Sequence, residues 1–469
     1  IIVYTQDHQT EKREISFATQ SNSSGKITVY FNHPVNTSLA KSEQAIYLNK
    51  TLDDTLIRYI NRAQSTIDIA IYNSDGPSTS SSNPLSNIAQ ALNNAYSRGV
   101  NIRVIYNGDT QNSMLSGLNS AIKRLASPIP NGTYGIMHNK FVIFDADASD
   151  PNRSYVWTGS CNWTNAQINS DKNNVIIFQD QSLARSYKIE FEEMWGSSGL
   201  TPNTSVSKFG PYKNPFNTPE TFLIGGTPVY CYFSPSGKTT QKIIESINSA
   251  NADIEIATMT PTRDDIRDAI LMKHTSGLDS IHIQEDDGTS TGDDYLTYLS
   301  NLPQGQVKLW PQSSIMHHKF CIVDERLSTS DPLVLTGSHN WSNNAQSAND
   351  ENTVIVHDST IANIYLQAFD YLFKTISGGQ YYNTIPKVNS NQSNLKVYPN
   401  PASDMFFIDV NSLPSGNFVV QVTDMKGQLI LERNFNNTSV ISLSTSDWSA
   451  GLYYVKLQCD NLIYGSKIQ

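Results

Sequence analysis

Hydrophobic and polar positions follow the same order twice between residues 27 and 376. Each copy opens with a short strand-like segment, at residues 29–31 or 229–233, and a proline follows closely. A stretch with the 3.6-residue spacing of an amphipathic helix comes next, and then an alternating strand at residues 67–71 or 254–257. The repeated order predicts two structurally equivalent units within one chain.

The second half of each copy contains short, continuous apolar runs, which are typical of strands buried on both faces of a sheet. They lie at residues 141–144 and 175–178 in the first copy, and at residues 320–323 and 354–356 in the second. Helical stretches separate the strands, and an aromatic-rich helix closes each copy. Alternating strands and helices predict an α/β fold of two pseudo-symmetric lobes.

The pattern changes at about residue 395. From there to the end of the chain, helical periodicity is absent and short strand-like segments recur between turn signals. This pattern predicts a small C-terminal β-sandwich.

These changes set the predicted domain boundaries. The chain opens on Ile1 without a methionine, which is typical of the remainder of a removed secretory signal, although a short N-terminal strand is the alternative. A Gly-, Pro-, Thr-, Asn- and Ser-rich stretch separates the two copies. The predicted segments are a leader remnant (1–26), a first lobe (27–205), a linker (206–226), a second lobe (227–380), a linker (381–394) and the β-sandwich (395–469).

Two polar loops directly follow predicted strands. Residues 74–86 are rich in Ser and Pro, and residues 286–294 contain four aspartates. Loops at strand ends often surround an α/β active site, so both are candidates for substrate selection. Solvated loops without a role are the alternative.

Composition narrows the class of protein. The 469 residues carry a formal net charge of −10, which argues against non-specific coating of polyanions but leaves room for a local basic cleft. No run of 18 apolar residues is present, so we expect no membrane span. The 4 cysteines are scattered without metal-ligand spacing and do not imply a disulfide framework.

The pattern His-x-Lys-x4-Asp occurs once in each copy. Each is followed by Gly-Ser-x-Asn-Trp, whose Asn lies 24 residues (162 − 138) or 23 residues (340 − 317) after the His. Two matched sets are very unlikely to arise by chance. The residues are His138, Lys140, Asp145, Ser160 and Asn162 in the first copy, and His317, Lys319, Asp324, Ser338 and Asn340 in the second.

Doubled His, Lys and Asn residues suit the cleavage of a phosphodiester. One neutral imidazole can attack phosphorus, while the second protonates the leaving group and then activates water. Lys140 and Lys319 would neutralise the charge that builds on the phosphoryl oxygens. The Asn162 and Asn340 amides, with the hydroxyls of the two motif serines, would donate hydrogen bonds to the same oxygens. Such a site requires neither a metal nor another cofactor.

These motifs resemble those of the phospholipase D superfamily over roughly residues 27–376. The resemblance implies two lobes with one shared active site between them, and a covalent phosphohistidine intermediate. It also implies that Asp145 and Asp324 are structural residues rather than reactants. We therefore expect an enzyme, a phosphodiesterase, that is a monomer because both motifs lie in one chain.

Members of the superfamily also place a carboxylate about 11 residues after the motif Asn, where it orients a histidine. Glu351 satisfies this spacing in the second copy (351 − 340). Aligning the first copy through Ala166 and Ala345 places Lys172 opposite Glu351, with Asp171 as a possible substitute. The asymmetry leads to the hypothesis that His138 is the nucleophile, oriented by Glu351, and that His317 is the acid and base.

The C-terminal segment resembles the sorting domain of the bacterial type IX secretion system. The resemblance rests on residues 397–402 (VYPNPA), 424–428 (DMKGQ) and 450–455 (AGLYYV). It implies that the secretion machinery is a partner, and that the protein is secreted or held at the cell surface of a Gram-negative, Bacteroidota-type bacterium. A β-sandwich accessory module is the alternative.

The superfamily does not determine the substrate, because one fold supports several activities. The acidic balance and aromatic positions such as Tyr381 and Tyr382 slightly favour a phospholipid. The compact lobes and the Asn-rich segment around Glu351 support the alternative, an extracellular endonuclease that cleaves DNA or RNA. A non-catalytic surface binding protein is the third and minor alternative.

Overall fold

Two eight-stranded sheets with the same strand order organise the part of the chain that carries the motifs. The computed structural model describes residues 2–4, 10–12, 18–75, 84–286, 298, 300–310, 314–327 and 329–376, and residues 395–468 apart from short gaps (412, 414–415, 425–428, 437, 447, 450, 452 and 460–461). The chain divides into two units, Ile1–Tyr381 and Tyr382–Gln469.

The first unit begins with two short strands that pair antiparallel, β1 (Ile2–Tyr4) and β2 (Thr10–Lys12). The strands of the first lobe are β3 (Ile27–Phe31), β4 (Ile46–Tyr47), β5 (Thr66–Ile71), β6 (Asn101–Tyr106), β7 (Lys123–Ala126), β8 (Lys140–Phe144), β9 (Tyr155–Gly159) and β10 (Asn174–Phe178). Its helices are α1 (Leu52–Arg62), α2 (Pro84–Ser97), α3 (Asn165–Asn169) and α4 (Gln181–Trp195), with 3-10 turns at Thr37–Leu39, Ser113–Gly117 and Pro151–Arg153.

The second lobe repeats this order after a 3-10 turn at Gly210–Tyr212. Its strands are β11 (Thr221–Ile224), β12 (Thr227–Ser234), β13 (Ile254–Thr258), β14 (Ile281–Glu285), β15 (Val307–Leu309), β16 (Lys319–Val323), β17 (Leu333–Gly337) and β18 (Glu351–Val356). Its helices are α5 (Thr239–Asn248), α6 (Asp264–Thr275), α7 (Asn343–Ser347) and α8 (Ser359–Thr375).

The strand orders are β4-β3-β10-β9-β8-β5-β6-β7 and β11-β12-β18-β17-β16-β13-β14-β15. In both sheets the last three strands are parallel and the central ones antiparallel. The sheets differ at one edge, where β4 is parallel to β3 but β11 is antiparallel to β12. The predicted α/β fold of two pseudo-symmetric lobes is confirmed.

Both faces of each sheet are covered, which explains the continuous apolar runs. On β8, Val142 and Phe144 join the core beneath α1 and α2, whereas Phe141 and Ile143 join the core between the lobes. Successive strand side chains point to opposite faces, so a strand buried on both sides has no polar alternation. The inter-lobe core also contains residues of α4 and α8 and therefore joins the two lobes.

Matching caps fix the two helices that pack between the lobes. Asp180 accepts a hydrogen bond from Leu183 N at 2.8 Å at the start of α4. Asp358 accepts hydrogen bonds from Thr360 N at 2.8 Å and Ile361 N at 2.9 Å at the start of α8. These side-chain acceptors satisfy helix N–H groups that have no intrahelical partner.

The segment predicted as a linker, residues 206–226, contributes a strand and a buried charge. Its residues Thr221–Ile224 form β11, and its Lys213 is buried in ion pairs with Glu190 and Asp350. Gly- and Pro-rich composition indicated a loop, whereas pairing with β12 gives the segment a strand conformation.

The predicted leader, residues 1–26, is partly packed against the first unit. Thr19 N donates to Thr221 O at 2.7 Å, and Ser21 Oγ donates to Asp180 at 2.6 Å. Residues 5–9 and 13–17 lie outside the described residues, as do residues 76–83, 287–297 and the linker at 381–394 with Tyr381 and Tyr382. The interpretation of residues 1–26 as a leader remnant stays a prediction, and so do the domain boundaries.

The second unit has two sheets, β19-β20-β23 and β22-β21-β24-β25. Its strands are β19 (Lys396–Tyr398), β20 (Met405–Asp409), β21 (Asn417–Asp424), β22 (Leu429–Asn436), β23 (Val440–Ser444), β24 (Tyr453–Cys459) and β25 (Leu462–Ile468). Phe406, Val420 and Val455 share one core, so residues from both sheets pack together as the predicted β-sandwich requires.

Among the described helices, none combines the length and the apolar character of a membrane span. All four cysteines are buried.

Candidate active site

Each motif is anchored to the opposite lobe by its backbone. His138 N donates to Asp350 O at 2.9 Å, just before β8 begins. His317 N donates to Lys172 O at 2.9 Å, just before β16 begins. The two bonds are equivalent under the pseudo-symmetry of the lobes. They bring both motifs to the same inter-lobe seam, as the resemblance implied.

His138 is oriented by Glu351 of the other lobe. Its Nδ1 lies 2.8 Å from Glu351 Oε2, and both side chains are buried. Burial alone would raise the pKa of Glu351, but His138, Lys140 and other nearby groups lower it to about 2. Burial lowers the pKa of His138 to about 4, against the opposing effect of Glu351. At neutral pH the pair is therefore a carboxylate that accepts a hydrogen bond from a neutral imidazole.

His317 is oriented by Asn173, a residue that the sequence alignment missed. Its Nδ1 lies 2.9 Å from Asn173 Oδ1. The alignment placed Lys172 opposite Glu351, and this is wrong by one residue. Ser160 N donates to Asn174 O at 3.1 Å and Ser338 N donates to Asn352 O at 3.0 Å, so the residue equivalent to Glu351 is Asn173.

The neighbouring residues have other partners. Lys172 Nζ contacts Ser314 Oγ at 3.3 Å. Asp171, the alternative substitute, accepts hydrogen bonds from Gln167 Nε2 at 2.8 Å and Ile315 N at 3.0 Å. The spacing of 11 residues from Asn162 (173 − 162) is the sequence signal that identifies Asn173.

The hydrogen-bond network determines the tautomer of each histidine. Asn173 Nδ2 donates to Gln167 O at 3.0 Å, so the oxygen of this amide faces His317. An amide oxygen and a carboxylate are both acceptors, so the protons of neutral His138 and His317 lie on Nδ1. The Nε2 atom of each ring is left with its lone pair.

Ser160 and Ser338 support the orienting residues. Ser160 Oγ donates to Asn173 Oδ1 at 2.9 Å, and Ser338 Oγ donates to Glu351 Oε2 at 2.7 Å. A hydroxyl has one proton to donate. This corrects the expectation that the two serines donate to phosphate and makes them positioning residues.

Lys140 and Lys319 lie beside the histidines of their own motifs. Lys140 Nζ donates to His138 O at 2.6 Å, and Lys319 Nζ donates to His317 O at 2.9 Å. Burial lowers the pKa of Lys140 to about 7, while Glu351 opposes the effect. Burial and the charge of Lys140 lower the pKa of Lys319 well below its usual range. A nearby negative charge would stabilise the protonated form of both lysines, so the arrangement suits the predicted binding of an anion, which stays a prediction.

The two motif asparagines each have an unsatisfied atom. The Oδ1 atoms of Asn162 and Asn340 are buried and have no protein partner. Buried polar atoms are normally hydrogen-bonded, so an unpaired atom at equivalent positions in both lobes is a feature of the site. An amide oxygen accepts and cannot donate to phosphate, so the unpaired atoms do not test the predicted donor role of the two amides, which stays a prediction.

Asp145 and Asp324 lie away from the histidines, at the far ends of β8 and β16. The five residues of β8 put about 17 Å between its ends at 3.3 Å per residue. Asp145 accepts hydrogen bonds from Ser65 N at 2.7 Å and Thr66 N at 2.9 Å. Asp324 accepts hydrogen bonds from Asn251 N and Ala252 N, both at 2.7 Å. These contacts tie each strand to the start of its neighbour, in keeping with the predicted structural role.

Two further pairs of residues complete the frame around the site. Asn107 Oδ1 accepts a hydrogen bond from Met137 N at 3.0 Å, and Asp286 Oδ1 accepts one from Met316 N at 2.9 Å. Both hold the residue that precedes a motif histidine. Sequence reasoning missed them because nothing in the local pattern links a strand end to a motif 30 residues later. No metal-binding group of three or more His, Cys, Asp or Glu occurs within the described residues.

The duplicated sheet and the cross-lobe pairing of the histidines define a two-lobed, phospholipase D-like protein. A family model described as "Cardiolipin synthase, PLD-like domain" matches residues 56–195 and 243–373, more than half of the 469 residues. The chain therefore belongs to this family of phospholipase D-like proteins. A second model, "Secretion system C-terminal sorting domain", matches residues 396–469 and confirms the predicted identity of the C-terminal segment.

Curated relatives resemble single stretches of the chain. The mitochondrial cardiolipin hydrolase of Chlamydomonas reinhardtii is 30% identical over 147 residues, which are 31% of this chain and 61% of that protein. The mitochondrial cardiolipin hydrolase of Drosophila melanogaster is 31% identical over 170 residues, 32% of this chain and 61% of that protein. The phospholipase D of Rickettsia conorii is 35% identical over 100 residues, 21% of this chain and 46% of that protein. The chain spans about three fifths or less of the length of these relatives.

Solved structures include the phospholipase D family member Nuc of Salmonella typhimurium, at 25% identity and a TM-score of 0.28, covering 31% of this chain and 93% of that one. Phosphatidylserine synthase of Haemophilus influenzae matches at 14% identity and a TM-score of 0.47, covering 67% of this chain and 83% of that one.

Proposed function

We propose that the protein is an exported phosphodiesterase of the phospholipase D type that acts through a phosphohistidine. The observation that carries the proposal is the exchange of orienting groups between the lobes. Glu351 of the second lobe holds His138, and Asn173 of the first lobe holds His317. The two histidines have similar geometry but different partners, so they suit different steps of one reaction.

In the first step, His138 Nε2 attacks phosphorus. A P–N bond forms as the P–O bond to the leaving alcohol breaks, and His317 Nε2 donates the proton that the departing oxygen needs. Glu351 is anionic at neutral pH and accepts the Nδ1 proton of His138 in a hydrogen bond. It therefore stabilises the positive charge that develops on this ring.

In the second step, water attacks the phosphohistidine. His317 takes a proton from the water, a P–O bond forms, and the P–N bond to His138 breaks. The products are an alcohol and a phosphate monoester, and His138 and His317 return to their starting states. His317 therefore donates a proton in the first step and accepts one in the second.

Charge on phosphorus is balanced by protein groups. Lys140 and Lys319 lie beside the two histidines and would face the non-bridging oxygens, with the amides of Asn162 and Asn340 as further donors. Because the pKa values of both lysines are lowered in the free protein, we expect an anionic substrate to raise them again and to draw protons into the site.

The protonation of His317 depends on the same coupling. Burial, Lys319 and Lys140 lower its pKa, and Asn173 supplies no charge to oppose them. The free protein therefore holds His317 neutral. A bound phosphodiester adds a negative charge beside the ring, so substrate binding loads the proton that the leaving group later receives.

For the substrate, we propose a phospholipid. The names of the curated relatives, cardiolipin hydrolase and phospholipase D, support this class. A nucleic acid is the second candidate, which the compact lobes and the Asn-rich segment around Glu351 favour. Non-catalytic surface binding is a third candidate. A parent protein that hydrolyses neither substrate would support it, whereas hydrolysis that His138→Ala abolishes without loss of binding would contradict it.

The C-terminal sorting domain supports export by the type IX secretion machinery to the cell surface or the medium of a Bacteroidota-type bacterium. Deleting residues 395–469 should then retain the protein inside the cell envelope. Unchanged export of the truncated chain would contradict this part of the proposal.

The decisive experiment offers liposomes and plasmid DNA in parallel, in the presence of a chelator. We expect hydrolysis of one substrate by the parent protein and none by His138→Ala or His317→Ala. Loss of parent activity on adding chelator would contradict a mechanism that uses only protein groups. Acid-free quenching and peptide mapping should find phosphate on His138.

A further inference from the structure

A cavity on the first lobe lies at the end of β8 opposite to the motif histidines. Its volume is about 470 Å³, and Arg62, Arg98 and Arg153 lie around Tyr59 and Tyr155 in its lining. A neighbouring cavity of about 270 Å³ shares Tyr59, Arg62 and Tyr155 and adds Lys26 and Tyr30. No Asp or Glu lines either cavity in the described part of the chain. In a protein with a net charge of −10, this concentration of positive charge is a local feature.

Arg62 is held in the middle of the aromatic side chains. Its guanidinium carbon lies 5.5 Å from the ring centre of Tyr59 and 5.1 Å from that of Tyr155. One of its nitrogens donates to Tyr155 Oη at 3.0 Å. A guanidinium has five N–H donors, so this contact leaves most of them for another acceptor. Arg62 is exposed, and Tyr59 and Tyr155 are half-buried, so a ligand can reach all three.

The second lobe provides an internal test of whether the fold needs these residues. Asp145 N donates to Thr66 O and Asp324 N donates to Asp253 O, which makes Thr66 and Asp253 equivalent. Counting back from these strands, Ser249 is equivalent to Arg62, and Ser246 is equivalent to Tyr59. Leu333, the first residue of β17, is equivalent to Tyr155, the first residue of β9.

The side chain that contacts the motif aspartate also differs between the two lobes. Arg153 Nη2 donates to Asp145 at 2.8 Å, whereas in the second lobe the hydroxyl of Ser330 donates to Asp324. The second lobe thus builds the same sheet and the same aspartate brace with small or apolar side chains. Tyr59, Arg62 and Tyr155 of the first lobe are therefore not required by the fold, whereas Arg98 donates to the carbonyls of Ile60, Asn61 and Ala63 at the end of α1.

We propose that this cavity binds a nucleotide, with the base on the tyrosine rings and the phosphate against Arg62 and its neighbouring cations. The volume is in the range of pockets that enclose a small organic ligand. Base stacking on aromatic rings and cationic contact to phosphate form a combination that binds nucleotides without reading their sequence. The nucleotide is either a free ligand or one unit of a single strand. The cavity lies at the opposite end of β8 from His138, so its occupancy is independent of the proposed catalytic activity.

The test measures binding to the full chain by fluorescence polarisation and calorimetry, using His138→Ala so that no probe is cleaved. The probes are adenosine monophosphate, a labelled single-stranded thymidine oligomer, and vesicles containing phosphatidylglycerol. Arg62→Ser and Tyr155→Leu install residues that the second lobe already tolerates. Arg185→Ser removes an exposed arginine that pairs with Asp147 and serves as the charge-matched control.

We expect Arg62→Ser and Tyr155→Leu to weaken nucleotide binding by about tenfold or more, and Arg185→Ser to leave it unchanged. Weakened binding of both the oligomer and the monophosphate identifies a free nucleotide as sufficient, whereas an effect on the oligomer alone identifies a strand. Equal affinities in all variants would overturn the proposal. Vesicle binding that depends on Arg62, without nucleotide binding, would also overturn it.

Discussion

The carboxylate of Glu351 is the group whose removal most directly tests the proposed division of labour. In Glu351→Gln, one oxygen remains to accept hydrogen bonds from His138 Nδ1 and Ser338 Oγ, which lie 2.8 Å and 2.7 Å from Oε2. The other position becomes an amide nitrogen. It then faces Asn349 Nδ2, which lies 3.3 Å from Oε1 and is also a donor. The variant therefore keeps the shape of the site and loses its negative charge.

The size of the effect follows from the buried hydrogen bond. Hydrogen bonds to charged groups contribute about 1.5–3 kcal/mol, roughly twice the contribution of neutral ones. His138 becomes cationic only as its Nε2 bonds to phosphorus, so the loss falls mainly on the transition state. Because the glutamine oxygen still accepts a neutral hydrogen bond, about half of this contribution is lost. At about 1.4 kcal/mol for each factor of ten, we expect phosphorylation of His138 to slow by about 4- to 12-fold.

Single-turnover kinetics with a chromogenic phosphodiester measures this step, and thermal unfolding verifies that the variant is folded. Asn173→Asp is the matched control, because it makes the isosteric change beside His317. There we expect the new carboxylate to raise the pKa of His317 and to move the alkaline limb of the pH–rate profile for phosphorylation to higher pH, with phosphate still trapped on His138. The reasoning is refuted if Glu351→Gln stays within about threefold of the parent rate, or if phosphate is trapped on His317.

Three further predictions concern stability. Burial lowers the pKa of His33 to about 3 and that of His138 to about 4, whereas unfolded histidine titrates near 6.5. The unfolded state therefore binds protons first, and urea titrations should show stability falling below pH 6.5 by up to about 1.4 kcal/mol per pH unit for each histidine. A flat profile between pH 7 and 5 would contradict their burial. Lys213→Met leaves two buried carboxylates without their cation and should lower the free energy of unfolding by about 3–5 kcal/mol. Lys188→Met, at a partly exposed ion pair, should lower it by less than about 1 kcal/mol. Equal effects of the two substitutions would contradict this account. Asp145→Asn should lower the melting temperature, while kcat per folded molecule stays within about threefold of the parent value because the residue lies at the far end of β8. A melting temperature equal to that of the parent, or a large loss of kcat, would argue against a structural role.

Some of the site could be predicted because its signals are local. The spacing from His138 to Lys140 and on to the motif tail is encoded within two paired strands, β8 and β9, and the connection between them. Apolar runs of strand length indicated burial on both faces, and the structure has both faces covered. Glu351 was also found, because its distance from Asn340 is fixed by a short helix and the start of one strand.

The error at Asn173 has a simple physical origin. The alignment paired Ala166 of α3 with Ala345 of α7 by residue type, whereas the register of the structure pairs Ala166 with Asn344 (340 − 162 = 351 − 173). In the strand that follows, neighbouring side chains point to opposite faces. A shift of one residue therefore replaced Asn173, which faces His317, by Lys172, which does not contact it through its side chain.

The sequence by itself determined the duplication, the fold class, the motif residues and the sorting segment, because each depends on periodicity or spacing within a few tens of residues. The resemblance suggested that Glu351 orients His138, but only the tertiary structure decided that Asn173 faces His317. His138 and Glu351 are 213 residues apart, and His317 and Asn173 are 144 apart. Their pairing results from the packing of two sheets across a shared core, and no local pattern encodes it. The same packing committed the protons of Ser160 and Ser338 to the orienting residues, which chemical type alone had assigned to phosphate.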